Sequence, residues 1–371
     1  MGLFIIYLSD TRLFFKKFLI ILFFIYFIII IWFFINEKSY INLFLIYELF
    51  LLPSFYLVYL ISPNRRSIPI AIYFLTWTQF GSLFVLLAIC YIYINTKSIF
   101  LVYSNNINYN ILFFLFFIGF GIKVPTWPFY YWLTKTHVEA SSFFSIYLSG
   151  FLVKTAIYLF NFFFLYYYNI YYVNMFFIVI IIGIIDSSIK MWHQLDLKKL
   201  IAYTTVQEMN LLFVPIFWNN ELVEIYISFF IVIHCLLSSI FFFIIDILMK
   251  RFNTRLSTKI TGLVHTMPIF SFFIFISFIL FCGLPFTSKF FIEIVIFKLL
   301  FNHNIEIFLF IIFIANWVGI IGFSKNFFNI LFGSPITTDY IILDLNKKEI
   351  LIFIKMILLL FYINYITFLI F

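Results

Sequence analysis

The sequence predicts an all-α, polytopic membrane protein of about eleven transmembrane helices, in two inverted five-helix repeats that each contain a broken helix. Three observations predict it. First, 65% of the 371 residues are hydrophobic and only 10% are charged, where soluble domains carry roughly 45–50% and about 25%. Second, the mean hydropathy of +1.15 leaves no stretch long enough for a separate soluble domain. Third, Pro125 and Pro285 interrupt apolar runs that lie five helices apart. An odd offset inverts the second unit, and matching interrupted helices point to a transport site near the midplane. The composition excludes a cytosolic enzyme, a nucleic-acid binder and a secreted disulfide scaffold.

A helix needs about 20 apolar residues to cross the hydrocarbon layer. Runs of that kind cover residues 13–35, 41–61, 69–94, 111–133, 141–168, 171–192, 197–218, 222–249, 264–301, 305–331 and 350–370. The run over 264–301 is too long for one straight span and carries Gly283-Leu284-Pro285 in its middle, so it reads as one broken helix. The whole chain, 1–371, then forms a single membrane domain: repeat one over 13–168, repeat two over 171–331, and a C-terminal helix over 350–370. The first apolar run is too long for a cleavable signal peptide and lacks a small-residue cleavage site.

Charge placement sets an orientation. With the N-terminus inside, Arg12, Lys16, Lys17, Arg65, Arg66 and the later loop cations through Lys347 and Lys348 share one side, while Lys38 and Lys97 fall on the other. Such a bias marks the cytoplasmic or matrix face. Lys298 and Lys355 stand near helix ends, where a lysine can snorkel. The Phe, Ile, Asn, Lys and Tyr content matches AT-rich coding and points to an organelle genome. Cys90, Cys235 and Cys282 show no cluster or metal spacing and read as small apolar fillers.

The chemistry lies in charges stranded inside helices. An ionised group at the bilayer centre costs roughly 2.5–3.5 kcal/mol on insertion scales, so it persists only against protein or water. Glu48, Lys123, Lys154, Glu208, His234 and Glu293 are such groups, spread over six helices. Lys123 precedes Val124-Pro125, where the proline removes a backbone donor and frees carbonyls. Broken backbone at membrane depth is tolerated only against protein or a wet cavity. In the inverted-repeat register Lys123 corresponds to Glu293, and Glu48 to Glu208. Lys289 stands just past the second break with no assigned role. The segment Lys135-Thr-His137-Val-Glu139 reads as a loop that either caps the next helix and contacts a neighbour or takes part in proton transfer, and His193, His265 and His303 read as solvated groups near helix ends.

At these positions the chain resembles the antiporter-like subunits of respiratory complex I, and most closely the subunit 4 branch. Residues Gly121-Ile-Lys-Val-Pro-Thr-Trp-Pro-Phe-Tyr-Tyr-Trp-Leu-Thr-Lys-Thr-His-Val-Glu-Ala140 look like the family segment KVPLWPFHTWLPDAHVEAP. Glu48-Leu-Phe-Leu-Leu-Pro53, Asp196-Leu-Lys-Lys-Leu-Ile-Ala-Tyr203 and Gly283-Leu-Pro-Phe-Thr-Ser288 match further motifs in order. The resemblance implies a proton channel in the membrane arm, driven by NADH:ubiquinone electron transfer elsewhere. It implies that Glu48 pairs with Lys123, that Lys154 is a relay lysine, that His234 is a central-axis histidine, and that Glu293 is the exit-side glutamate. Glu208 departs from the family pattern, where a histidine is usual, and Tyr130 and Thr134 replace a histidine and a proline.

The same resemblance implies partners and place: neighbouring antiporter-like and other membrane-arm subunits, and membrane lipids such as cardiolipin, with no nucleic acid. No cofactor is expected in this chain, with FMN and iron–sulfur clusters in partner subunits. The location implied is the mitochondrial inner membrane, N-terminus on the matrix side. Two alternatives use the same residues differently. One is a subunit of a multi-subunit cation/proton antiporter; the other is a structural membrane-arm subunit that no longer pumps.

Overall fold

The computed structural model describes residues 25–26, 28–37, 39–61, 67–98, 100, 108–166, 173–217, 221–302, 306–334 and 343–370. Most of the first expected span, with Arg12, Lys16, Lys17, Lys38, Arg65, Arg66 and His303, lies outside them. Among the described residues the regular structure is helical, apart from two isolated bridges, Ser39 with Phe100 and Asp196 with Leu256. Six of these helices are long and apolar enough to cross a membrane: Ile68–Thr96, Ser142–Phe164, Met175–His193, Glu224–Phe252, Glu306–Phe332 and Lys347–Leu369. Shorter apolar helices accompany them, and two of these, Tyr109–Lys123 and Pro268–Phe281, end at a proline break. The chain divides into two compact units, Met1–Asn174 and Met175–Phe371.

In the first unit, helical residues 28–36 lead to α1 (Tyr40–Leu49) and α2 (Leu51–Ile61). The apolar run over 41–61 predicts one helix here, but the structure breaks it at Phe50. Pro53 explains the break: it has no N–H to give to the Leu49 carbonyl and its ring crowds that oxygen. The Leu49 carbonyl accepts the Tyr26 hydroxyl instead, at 3.4 Å. Helix α3 (Ser67–Thr96) packs closely on α4 (Tyr109–Lys123). Glycines set that approach, since a Cβ on Gly81 would stand 2.8 Å from the Gly119 carbonyl oxygen. Small residues at crossings are how membrane helices come together. The unit continues through α5 (Tyr131–Glu139), α6 (Ser142–Tyr147), a π-turn over Leu148–Leu152 and α7 (Val153–Tyr166). The Lys135–Glu139 segment is thus helix rather than loop.

In the second unit α8 (Val173–His193) precedes α9 (Leu197–Ile216) and α10 (Glu221–Phe252). Every residue of α9 except Lys199 is buried, so α9 is the unit's central helix. Asp196 caps it, accepting the Lys198 and Lys199 amides at 3.0 and 3.4 Å while pairing with Arg255 at 2.7 Å. After a short α11 (Leu263–Thr266), the predicted broken helix appears as α12 (Pro268–Phe281) and α13 (Ser288–Asn302), followed by α14 (Glu306–Phe332) and α15 (Lys347–Ile370). The segment before α15 clamps its neighbours. The Asp344 carboxylate caps α12 through the Ile269 and Phe270 amides at 2.8 and 3.2 Å, and Arg251 reaches Glu349 at 2.6 Å. Large apolar side chains such as Leu358, Phe361, Tyr362 and Phe368 stay exposed on α15, a surface suited to lipid rather than water.

Candidate functional site

Each unit builds one ammonium–carboxylate pair beside a proline break. In the first unit Pro125 has no N–H for the Gly121 carbonyl, and that oxygen accepts the Thr126 amide at 2.8 Å and its hydroxyl at 3.0 Å. Gly121 permits this, because a Cβ there would lie 2.7 Å from the Thr126 hydroxyl oxygen. The next free carbonyl, of Ile122, accepts the Trp132 indole N–H at 2.7 Å. Lys123 is therefore the last residue of a helix end that is satisfied without it.

Its ammonium turns to Glu48, with Nζ 2.8 Å from Oε1, and sits over the Tyr47 ring at 3.8 Å. The Lys123 side chain is 1% exposed and that of Glu48 is 20% exposed. The second Glu48 oxygen accepts from Gln79 Nε2 at 3.3 Å, and Ser82 donates to Gln79 Oε1 at 3.2 Å. The pair is dry on the lysine side and reaches the surface of the chain on the glutamate side.

In the second unit Pro285 has no N–H for the Phe281 carbonyl. Gly283 ends α12 in the left-handed conformation, φ +67°, as helix ends commonly do. Cys282 thus caps α12 rather than filling a helix. The freed Phe281 carbonyl accepts the Lys289 ammonium at 2.8 Å, and the same ammonium pairs with Glu208 Oε1 at 2.5 Å. Glu293, one turn along α13, has its Oε1 3.9 Å from Lys289 Nζ. Asn316 donates to that Glu293 oxygen at 3.2 Å, and Gln207 donates to Asn316 Oδ1 at 3.3 Å. Glu208, Lys289, Glu293, Asn316 and Gln207 are all buried. From α15, Asn364 accepts the Ser288 amide at 3.0 Å and fixes the start of α13.

The register expectation needs a correction here. It set Glu293 in the place of Lys123, whereas the ammonium that faces Glu208 as Lys123 faces Glu48 belongs to Lys289. The sequence did hold a signal for it: Lys289 and Glu293 are four apart on one helix, and a buried Glu208 demands a counter-charge. Gln79, Asn316 and Gln207 carried no such signal, since neutral amides are common in helices.

Lys154 is buried, and its ammonium donates to the Ser149 carbonyl. That oxygen lies in the π-turn, where the wider i→i+5 winding disturbs the backbone ladder, a feature frequent at functional positions. His234 is buried in α10, 4% exposed. His137 is wholly buried, and the Lys135 ammonium lies 4.5 Å from the Tyr73 ring centre. Lys298, Lys355, His193 and His265 are exposed, in keeping with snorkelling or solvation. At the family departures, Tyr130 is 1% exposed and stacks on Tyr131, and the Thr134 hydroxyl bonds the Tyr131 carbonyl at 3.1 Å.

A buried pair of this kind can hold a proton in two arrangements. In contact, ammonium and carboxylate stabilise each other's charge. Separated, each is a lone buried charge, and transfer of the proton becomes the cheaper state.

Comparison with known proteins shows the family. Residues 38–319 match the family described as NADH:quinone oxidoreductase/Mrp antiporter, TM. NADH-ubiquinone oxidoreductase chain 4 of Paramecium tetraurelia is 39% identical over 327 residues, 86% of this chain and 69% of that protein. Among solved structures, a chain of respiratory complex I from Thermus thermophilus superposes with TM-score 0.77 at 17% identity, over 88% of this chain and 71% of that one. A chain of the Mrp complex from Dietzia sp. DQ12-45-1b gives 0.76 at 17% identity, over 81% and 58%. At such identities the two structures show a shared fold, and the chain spans less than two thirds of the Mrp one. With three quarters of its length in the family match, this chain belongs to the NADH:quinone oxidoreductase/Mrp antiporter transmembrane family.

Proposed function

We propose that this chain is a proton-translocating, non-redox subunit in the membrane arm of respiratory complex I. One observation carries it: each unit holds an ammonium–carboxylate pair with a buried lysine at a proline break, Lys123 with Glu48 and Lys289 with Glu208. Two such pairs are costly as mere structure, since well-packed apolar residues often serve stability as well or better. As proton holders they have leverage of the right size. An opposite charge in contact alters proton binding by roughly 1.4 to 4 kcal/mol, against about 2.3 kcal/mol to move one charge across 100 mV.

In this reading protons load at the Lys123 and Glu48 pair, pass by way of Lys154 and His234 or Glu208, and leave past Glu293. Closing the Glu48 contact holds the Lys123 ammonium; opening it releases a proton onward. NADH oxidation, FMN and the iron–sulfur clusters belong to partner subunits, and the chain's neighbours are other membrane-arm subunits with lipids such as cardiolipin around them. The place is the mitochondrial inner membrane, with the N-terminus toward the matrix. The Paramecium relative supports the complex I assignment over a cation/proton antiporter, whose fold is the same.

Affinity purification of the tagged chain from native membranes tests the assignment. Flavin- and iron–sulfur-containing partners with NADH:ubiquinone activity are the expected companions. A complex without flavin that exchanges cations for protons would contradict it, as would a chain purified alone.

A further inference from the structure

We infer that Lys289 is itself a proton-carrying residue, passing protons from Glu208 to Glu293. The inference deepens the proposed function and rests on it. The ammonium has three donors. One points to Glu208 Oε1 at 2.5 Å and one to the Phe281 carbonyl at 2.8 Å, leaving Glu293 Oε1 at 3.9 Å as a second carboxylate near the same nitrogen. The Lys289 ammonium thus lies between two carboxylates, bonded to one and about 1 Å beyond hydrogen-bond reach of the other.

The surroundings suit an exchange between these positions. Glu293 is held from its far side by Asn316, which Gln207 orients. Gly283 leaves the space beside both groups: even a Cβ there would remain 3.5 Å from Glu293 Oε2 and 3.6 Å from the Lys289 side chain. Two carboxylates with one ammonium also leave one buried negative charge uncompensated, and a single translocated proton neutralises it. The pair of Lys123 with Glu48 has no such surplus.

The step balances without any co-reactant. A proton arriving at Glu208 makes it a neutral acid and loosens its hold on the ammonium. Lys289 swings to Glu293; one N–H bond breaks, an O–H bond forms on Glu293, and a neutral amine remains. The amine returns and takes the proton from Glu208, so that an O–H bond breaks and an N–H bond forms. Ammonium and carboxylate are restored, and one proton has moved to Glu293.

The test compares complexes carrying Lys289→Arg, Lys289→Gln or Lys123→Ala in sealed vesicles, reading protons translocated per NADH oxidised. Arginine keeps the charge and the contact with Glu208 but does not give up its proton. Glutamine keeps a donor to Glu208 without a charge, and serves if the arginine variant fails to assemble. The expected result is a proton-to-NADH ratio in both Lys289 variants as low as in Lys123→Ala. A wild-type ratio in either Lys289 variant, with the ratio lowered in Lys123→Ala, overturns the role of Lys289 alone. A wild-type ratio in all three overturns proton pumping by this chain as well.

Discussion

Lys289 and Glu208 are 3% and 6% exposed as side chains, so neither has water to fall back on when the other is removed. Breaking such a pair from one side leaves a lone buried charge and costs about 3–5 kcal/mol, whereas removing both charges together costs far less. Lys289→Met, which leaves both Glu208 and Glu293 without their counter-charge, is therefore expected to lower the melting temperature of the purified complex more than the double variant Glu208→Gln with Lys289→Met; the reverse order would show that the pair is not sealed. Residues of this kind were unevenly legible in the sequence. Glu48 and Lys123 stood out because each interrupts an apolar run. Lys289 did not, because a lysine just past a break is as consistent with snorkelling as with pairing. The need of Glu208 for a counter-charge hinted at it, but only the packing of α9 on α13 singles out Lys289 as the partner.

Helices break in this chain where a proline withholds an N–H from a carbonyl four residues back, and the new partner of that carbonyl defines each site. Gly121 is served by Thr126 and Phe281 by Lys289. Replacing Pro125 with alanine supplies the missing donor. The expected outcome is α4 continuing past Val124, an exchange-protected amide at the new alanine, and a lower proton-to-NADH ratio. A fast-exchanging amide at that alanine would show that other contacts impose the break. Gly319 works on the second site from α14, since a Cβ there would come within 2.6 Å of both atoms of the Gln207 amide. Gly319→Ala is expected to push Gln207 off Asn316, free Glu293 and reduce pumping without preventing assembly; a wild-type ratio would mean that the amide chain does not matter. Pro125 and Pro285 announce their breaks in the sequence, whereas the unbroken apolar run over 41–61 hides the one at Pro53. Helix α9 shows the converse limit of hydropathy. Thr204, Thr205, Gln207, Glu208 and Asn210 make it polar, yet all are buried, because they face protein rather than lipid.

Across the whole molecule, composition sufficed for the helical membrane class, since no other architecture hides so much apolar surface with so few charges. Composition was silent on tertiary clamps made by single polar groups, such as Asp344 on α12 and Asn364 on α13. Loss of a capping carboxylate costs about 1 kcal/mol, up to about 2. Asp344→Ala is thus expected to lower thermal stability modestly while leaving the proton-to-NADH ratio at its wild-type value. A changed ratio would instead tie the clamp to transport.

The central claim is that these buried pairs carry protons rather than merely hold helices together, and Glu48→Gln tests it most directly. The substitution keeps the shape of the side chain and a hydrogen bond to Lys123 but removes the charge. In sealed vesicles the assembled complex is expected to translocate fewer protons for each NADH oxidised. A fully assembled Glu48→Gln complex with the wild-type ratio and rate would contradict it.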